Sequence, residues 1–418
     1  MLKGRPDLLR FVAARILGGV ATQMIATALG WVVYAKTGSA YALGLVALFQ
    51  FLPAIPLMAA TGDAADSFDR RWVVVVSYLG QLAAAAALFA FDRSSLGMGW
   101  LYALVLLMGG ASAFSMPAQQ ALLPSLVAPE EIGQAVAFSS STGQLSIMAG
   151  PALGGLAYAW VGAWTFLLAG ALLLLAVVLM LTIKPRRIVR ESQAGGVWAR
   201  AFAGLGYVRS NPVLLGAITL DLFVVILAGV TSLLPIFAKD ILHTGPEGLG
   251  ILRSAPAIGA VVVGFALSRW PIRRHAGLTM IWAVGAFGLT TAIFGLSRSF
   301  PLSVLALVAT GAFDMVSVVV RQTLVQVATP DEMRGRVSAV SSVFISGSNR
   351  LGDFESGIVA GLVGAPASTV IGGVGAILVV GLTALLVPTF RKADRLSPVV
   401  AKAVEPHAAD EVAEAQSS

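Results

Sequence analysis

Long apolar stretches separated by short polar links run through almost the whole chain. An apolar stretch of about 20 residues can cross a bilayer as a helix. Irregular backbone cannot face lipid, so the spanning stretches should be helical. The pattern predicts an all-α membrane protein with twelve transmembrane helices at 8–35, 41–60, 72–91, 100–119, 132–157, 163–183, 213–237, 248–267, 276–296, 302–320, 336–363 and 368–388.

The pattern also repeats once along the chain. "PEEIGQAV" at 129–136 and "PDEMRGRV" at 330–337 each lie between the fourth and fifth spans of their half. We therefore predict two six-helix pseudo-repeats, an architecture typical of transporters, with the substrate path between the halves. The expected domains are a first bundle, a linker with an amphipathic helix, a second bundle and a disordered cytoplasmic tail, at 1–183, 184–212, 213–388 and 389–418.

The linker helix is predicted from four apolar residues at spacings of four, three and three, namely Trp198, Phe202, Leu205 and Val208. Such a face suits a helix lying on the inner membrane surface. It equally suits a helix packed beneath the bundle. The sequence leaves both alternatives open.

Composition strengthens the membrane assignment and changes the meaning of the charge. The chain is 57% hydrophobic and 12% charged, too apolar for an ordinary soluble domain. The net charge of +7 would be compatible with nucleic-acid binding. With both termini placed in the cytoplasm, however, 21 of the 28 Lys and Arg residues fall in cytoplasmic segments and four on the opposite side. This bias matches the positive-inside rule, so we expect no nucleic-acid partner.

Candidate cofactor chemistry is sparse. The chain has no cysteine, and its three histidines are far apart without ligand spacing. No Walker pattern that would indicate ATP binding occurs. We expect neither a metal nor a cofactor.

Three segments resemble one group of transporters: "GDAADSFDRR" between the second and third spans, "GSAYALGL" at the second, and "NRLGDFESG" in the eleventh. They are similar to the exporter branch of the major facilitator superfamily that includes enterobactin exporters and macrolide efflux proteins. The resemblance extends over about residues 8–388. It implies a monomer that moves a small-molecule substrate through a lipid bilayer.

The first segment matches the family's link pattern G-x-x-x-D-R-x-G-R-R/K at four positions. In the family, the Asp of this link latches the two halves together. The resemblance therefore implies a conformational latch at Gly62, Asp66, Arg70 and Arg71. Ser67 stands where the family has Arg, which removes one latch contact. The alternative for the two arginines is that they only enforce topology.

Charged residues inside the spans are expensive and face a cavity or a partner. Arg15, Asp221 and Asp314 lie at similar depths in spans 1, 7 and 10, helices that the resemblance implies line a central cavity. We expect them to form the proton or substrate site, with Arg15 more structural than the two carboxyl groups.

Asp314 belongs to a polar stripe with Thr310, Ser317 and Arg321. A carboxyl group in a low-dielectric span can carry a proton. The alternative is an ion pair with Arg15 or Arg321 that only holds helices together.

Span 11 carries Arg350, Asp353 and Glu355. Arg350 and Asp353 are three residues apart and can pair on one face. Glu355 points the other way, and we expect Arg253 of span 8 as its partner. A second protonation site is the alternative.

Span 5 contains "GPALGG", in which proline bends the helix and glycines admit a close neighbour. The resemblance implies an exporter motif at Gly150, Pro151, Gly154 and Gly155. Ordinary close packing would use the same residues. The arginine that many family exporters carry in helix 4 is absent here, so any proton route must differ.

The favoured function is export of small amphipathic molecules of drug, macrolide or siderophore type, with proton coupling and alternating access. We expect a mostly apolar cavity and a multi-pass location in the bacterial inner membrane with both termini cytoplasmic. An importer or facilitator of a small metabolite is the alternative within transport. A non-transporting sensor or scaffold is the alternative outside it. An enzyme is not expected, because no nucleophile–base pair stands out.

Overall fold

The structure is a computed structural model that describes residues 5–54, 56–57, 61, 68–184, 205–270, 272, 275–327 and 329–386. These residues are almost entirely helical and contain no strand. The long helices in this part of the chain are α1 Pro6–Thr37, α2 Ala40–Phe51, α3 Arg70–Asp92, α4 Met98–Leu122, α5 Ile132–Val161, α6 Trp164–Leu181, α7 Pro212–Leu227, α8 Pro246–Arg269, α9 Ala276–Leu296, α10 Phe300–Val327, α11 Asp331–Val363 and α12 Ala365–Leu386.

Local sequence sets several helix ends. Gly38 adopts a left-handed conformation with φ 60° at the end of α1, where a Cβ would be unfavourable. Ser39 then caps α2, because its Oγ accepts a hydrogen bond from the Ala42 N–H. Asp69 caps α3 in the same way through the Arg71 N–H at 2.9 Å. The turn at Gly38 and Ser39 reverses the chain, so α2 runs back from the end that α1 reaches.

Nine stretches of the described residues are long and apolar enough to cross a membrane by length and composition. They include α1, α3, α4, α6 and α8–α10, together with Leu214–Ile241 and Ala365–Leu385. The described part of α2 has only 12 residues. Polar residues are frequent in α5 and charged ones in α11. The helical membrane character predicted from the sequence is confirmed, whereas the count of twelve crossings stays a prediction.

The helices form two groups. Helices α1–α6 pack mainly on one another and constitute the first group; α7–α12 do the same and constitute the second group. Two broad contacts join the groups, α5 with α8 and α2 with α11. We call the end of the bundle at which α1 begins the near end, and the end that α1 reaches at Thr37 the far end.

The predicted linker helix lies only partly within the described residues. Trp198 and Phe202 are outside them, whereas residues 205–210 are helical. Val208 is buried against Val325 and Val337 of the second group. The described end of the linker therefore packs against the second group, and the choice between the two alternatives for the whole helix stays open. The predicted tail from 389 onwards lies outside the described residues.

Candidate functional site: a central cavity and buried charges

A cavity of about 730 Å³ lies between the two helix groups and is lined by α1, α3, α4, α5 and α10. By exposed surface its lining is mostly apolar, as expected, although many of the side chains along it are uncharged polar ones. Five serines and six glutamines contribute, the latter being Gln23, Gln81, Gln119, Gln120, Gln144 and Gln322. Among the described lining residues, Arg15 is the one that carries a charge. Polar groups at membrane depth are tolerated where they face such a cavity.

Hydrogen bonds within the first group hold the polar wall together. Gln119 Nε2 donates to Tyr78 Oη at 3.1 Å and to Ser115 Oγ at 2.6 Å. Thr22 Oγ1 donates to Gln81 Oε1 at 2.9 Å. These bonds link α1, α3 and α4 and fix the directions of the amides. The wall therefore offers amide and hydroxyl groups in a preset arrangement.

Arg15 reaches the cavity from the near-end half of α1. Its guanidinium donates to Ser139 Oγ of α5 and lies close to Tyr78. Gly143 leaves room for it, since a Cβ at that position would touch the guanidinium at 3.4 Å. No carboxylate of the described residues pairs with Arg15. The pair with Asp314 that the sequence left open is therefore not formed.

The two aspartates expected beside Arg15 lie elsewhere. Asp221 of α7 pairs with Arg321 of α10 at 2.9 Å, with both side chains almost fully buried. Asp314 lies near enough to interact electrostatically with both partners. No hydrogen bond from a described residue reaches the Asp314 carboxylate. The second group thus contains a three-charge cluster, and the expectation that these aspartates line the cavity is wrong.

Helix rotation explains this separation. The cavity-lining residues of α10 are Met315, Val318 and Gln322, which follow one face at spacings of three and four. Asp314 and Arg321 each precede one of them by one residue, and one residue turns the helix by about 100°. Their side chains are thereby directed toward α7 and away from the cavity.

The predicted pairs of α11 are also replaced. Arg350 donates to Gln50 Oε1 of α2 at 2.7 Å, and no ion pair with Asp353 occurs in the described residues. The Asp353 carboxylate instead accepts from the Ser232 N–H at 3.2 Å. The intrahelical pair is therefore wrong because α11 crosses α2, which offers Arg350 a closer partner.

Arg253 and Glu355 do not form the expected pair either. Arg253 Nη1 donates to the carbonyl oxygen of Ala26 on α1 at 2.9 Å, with Asp353 and Arg350 as its charged neighbours. Glu355 is half-buried and its Oε2 accepts from Ser356 Oγ at 3.4 Å. Arg253 consequently connects α8 to α1, and Arg350 connects α11 to α2.

The glycine motif of α5 serves two different neighbours. A Cβ at Gly150 would overlap Gln23, and one at Gly154 would overlap the Met24 backbone, both on α1. A Cβ at Gly155 would overlap the backbone of α8 at Pro246 and Gly250. Pro151 lies inside the helix. Gly155 is therefore the member of the motif that permits contact between the two helix groups.

The predicted latch is described only in part, since Gly62 and Asp66 lie outside the described residues. Arg70 Nη1 donates to the carbonyl oxygen of Ala121 at the end of α4. Arg71 Nη1 donates to the carbonyl oxygen of Ile183 at 2.8 Å, just after α6. A cation at a helix C-terminus is favourable. These described contacts of both arginines stay within the first group.

The two helix groups touch at the far end. Tyr34 Oη of α1 donates to Asp240, which follows α7. At Gly44 of α2, a Cβ would lie 3.0 Å from the Phe354 carbonyl oxygen and 3.2 Å from Gly357 Cα of α11. Together with the Gly155 crossing, these contacts close the space between the groups at the far end. The cavity lies on the near-end side of them.

The sequence of the chain is similar to a known family of membrane proteins. Residues 8–416 match the family described as transmembrane secretion effector, MFS_3. The chain belongs to this family. It is 27% identical over 413 residues to the enterobactin exporter EntS of Citrobacter koseri, with 96% of each chain covered. The EntS protein of Salmonella typhi is 26% identical over 414 residues, covering 96% of this chain and 97% of the relative.

Solved structures show the same fold. The nucleoside transporter NupG aligns with a TM-score of 0.74 at 13% identity, covering 91% of this chain and 99% of its own. A bacterial homologue of the human lysosomal transporter Spinster, in an inward-facing and unoccupied conformation, aligns with a TM-score of 0.69 at 15% identity, covering 94% and 98%. The chain is therefore a multi-pass transporter of the major facilitator type, in the exporter branch that its motifs resemble.

The sequence analysis missed the residues that form the cavity wall, above all Tyr78 and Gln119. Their signal was present as polar residues one helical turn apart on apolar helices, Ser77 with Gln81 and Ser115 with Gln119. Such uncharged pairs are less conspicuous than an intramembrane charge, although they carry the hydrogen bonds of the site.

Proposed function

We propose that this transporter exports small amphipathic molecules of drug, macrolide or siderophore type across the bacterial inner membrane by alternating access. In this proposal the near end, both termini and the basic links are cytoplasmic. The names of the relatives favour export of a siderophore-like molecule. Protons moving inward drive the cycle.

The observation that carries the proposal is the position of the cavity relative to the contacts between the helix groups. The cavity lies toward the near end, whereas Gly44, Gly155 and Tyr34 hold the groups together at the far end. An exporter loads its substrate from the cytoplasm, and this arrangement is the loading state. Rocking of one group against the other would then open the far end.

The two helix groups are proposed to be the two six-helix repeats, giving twelve crossings in total. Domain limits of 1–183 and 213–388 follow, with the linker between them. The contacts of α5 with α8 and of α2 with α11 support this division, since they are the broad contacts between the groups. In the cycle these two interfaces are the ones that must rearrange.

Asp314 is the proposed proton carrier. It sits beside the Asp221–Arg321 pair without a hydrogen bond from the described residues, so its proton is not committed to a structural partner. Gaining a proton there would remove one of two neighbouring negative charges. That change would alter the attraction between α7 and α10, which belong to the second group.

The latch remains part of the proposal at Gly62 and Asp66, which would control the near end. For Arg70 and Arg71, the contacts with α4 and α6 favour a supporting role within the first group. Loss of either arginine should therefore weaken the first group more than it changes the balance between the two states.

An efflux assay tests the proposal. An efflux-deficient bacterium expressing the protein is loaded with fluorescent lipophilic ions, macrolides and siderophores, with and without a protonophore. We expect protonophore-sensitive efflux of at least one class. The variant Asp314→Asn should abolish it at matched expression, because the amide cannot release a proton.

The control is Asp7→Asn, which removes an acidic group at the near-end start of α1, outside the cavity and the charge cluster. It should transport normally. Efflux that survives in Asp314→Asn would give that residue a structural role. Accumulation in place of efflux for every substrate would contradict the direction of transport.

A further inference from the structure

Arg15 differs from three other arginines that the structure describes within α8, α10 and α11. Arg321 has Asp221 at 2.9 Å. Arg253 and Arg350 lie in the electrostatic neighbourhood of Asp353. Arg15 has no carboxylate near it among the described residues, and its described hydrogen bond is to Ser139. Among the residues that the structure describes, this cation inside a helix therefore has no counterion.

Such a charge is expensive unless something compensates it. A guanidinium has five N–H donors, and the described contact with Ser139 uses one nitrogen. Arg15 is among the residues that line the cavity of about 730 Å³, a size that suits a drug-sized molecule. The missing counterion therefore has room to be a ligand.

The rest of the lining indicates what else that ligand carries. Gln119, Gln120 and Gln144 present side-chain amides with exposed surface, and Gln119 is already oriented by Tyr78 and Ser115, so these amides can bind hydroxyl groups of a ligand. Tyr78 and Gln81 are almost fully buried and support this wall through their hydrogen bonds. On α10, Met315 and Val318 supply an apolar surface opposite this wall. No acidic residue is among the described lining residues, so nothing there would attract a cation.

We propose that the cavity selects small amphipathic organic anions, with a carboxylate or phenolate paired to Arg15, hydroxyl groups bound by the amide wall, and an apolar part against α10. This inference rests on the proposed transport function and narrows its substrate class. A guanidinium binds a carboxylate through two parallel hydrogen bonds, which fixes the orientation of the ligand. Lipophilic cations, typical of multidrug efflux, are then poor ligands of this site.

The test measures binding to the purified, full-length protein in nanodiscs, where no transport is needed. The probes are radiolabelled salicylate and its neutral amide, salicylamide, with tetraphenylphosphonium as the cationic competitor. Wild-type protein should bind salicylate in preference to salicylamide, and tetraphenylphosphonium should not compete. Arg15→Gln should weaken salicylate binding about tenfold or more and leave salicylamide binding unchanged. Arg15→Lys keeps the charge but cannot form two parallel hydrogen bonds, so its affinity for salicylate should lie between those of the wild type and Arg15→Gln.

The matched control is Arg10→Gln, which removes a like charge from the same helix at a position that does not line the cavity. Its salicylate binding should equal that of the wild type. A second variant, Gln144→Glu, retains Arg15 and places a carboxylate on the lining. It should lower binding of salicylate but not of salicylamide, even where Arg15→Gln fails to fold.

Two results would overturn the inference. One is salicylate binding that is absent up to millimolar concentration or no stronger than that of salicylamide. The other is undiminished salicylate binding by a folded Arg15→Gln protein. Failure of the proposed function is distinguishable: Arg15-dependent anion binding without efflux would refute export alone. Protonophore-sensitive efflux of lipophilic cations that does not depend on Arg15 would refute the anion site alone.

Discussion

The buried pair of Asp221 and Arg321 allows a quantitative prediction about the second helix group. At an effective dielectric constant of about 20, two unit charges 2.9 Å apart attract by about 6 kcal/mol. Desolvation of both groups offsets much of this attraction. Removing one partner leaves the other buried without compensation, so Arg321→Met should lower the free energy of unfolding by about 3–5 kcal/mol.

The neighbouring Asp314 makes the two single substitutions unequal. Arg321→Met leaves two carboxylates facing each other, whereas Asp221→Leu leaves Arg321 with Asp314 nearby. We therefore expect Arg321→Met to be the more destabilising. The double variant should be more stable than Arg321→Met alone, because it removes the pair while leaving Asp314 as the single charge.

The assay is unfolding in mixed micelles with increasing sodium dodecyl sulfate, followed by helical circular dichroism for wild type, both singles and the double. Arg10→Met serves as the control. Its side chain is 43% exposed, forms an ion pair with Asp7 and donates to the carbonyl oxygen of Thr182, so its loss should change stability by less than about 1 kcal/mol. The reasoning would be refuted if the two single substitutions changed the free energy of unfolding equally and the double variant showed the sum of the two changes. A buried ion pair must instead show coupling between its partners.

Three further substitutions test the far-end contacts and the first group, using spin labels on introduced cysteines at the far ends of α5 and α11 in a chain that has no native cysteine. Gly155→Leu places a side chain against the Pro246 backbone, so the distance between the two spin labels should increase. An unchanged distance would mean that this crossing does not close the far end. Tyr34→Phe removes the hydrogen bond to Asp240, which is worth about 1.5–3 kcal/mol for a charged acceptor. The distance between the spin labels should again increase, and an unchanged distance would contradict this prediction. Arg71→Ala should lower the free energy of unfolding by about 0.3–1 kcal/mol, because its contact at the end of α6 is lost, and should leave the distance between the spin labels unchanged. A changed distance would instead support a latch role.

The helical membrane character was predictable because it depends on local information. Apolar runs long enough to span a bilayer, the proline at the start of α1 and the turn at Gly38 and Ser39 act within one helix or its end. Each predicted span accordingly overlaps a described helix, although the spans 41–60 and 213–237 extend beyond the ends of α2 and α7. The exporter motifs were readable for the same reason, since each lies within one short segment.

The partners of the buried charges were not predictable in this way. Spacing along α11 placed Arg350 and Asp353 on one face, but the approach of α2 brought Gln50 to that arginine. Likewise Asp314 lies within the long helix α10 as predicted, whereas the rotation of α10 directs it toward α7 and leaves Met315 facing the cavity. Depth follows from counting residues, and direction requires the neighbouring helix.

The sequence by itself thus determined where helices form, which residues lie at membrane depth and to which family the chain is similar. Only the tertiary structure decided which polar side chains line the cavity and that Arg15 lies there without a counterion among the described residues. The physical reason is that α1, α3, α4, α5 and α10 contribute one or two turns each to the lining. Their meeting depends on long-range packing, such as the glycine crossings of α5, and not on any local pattern.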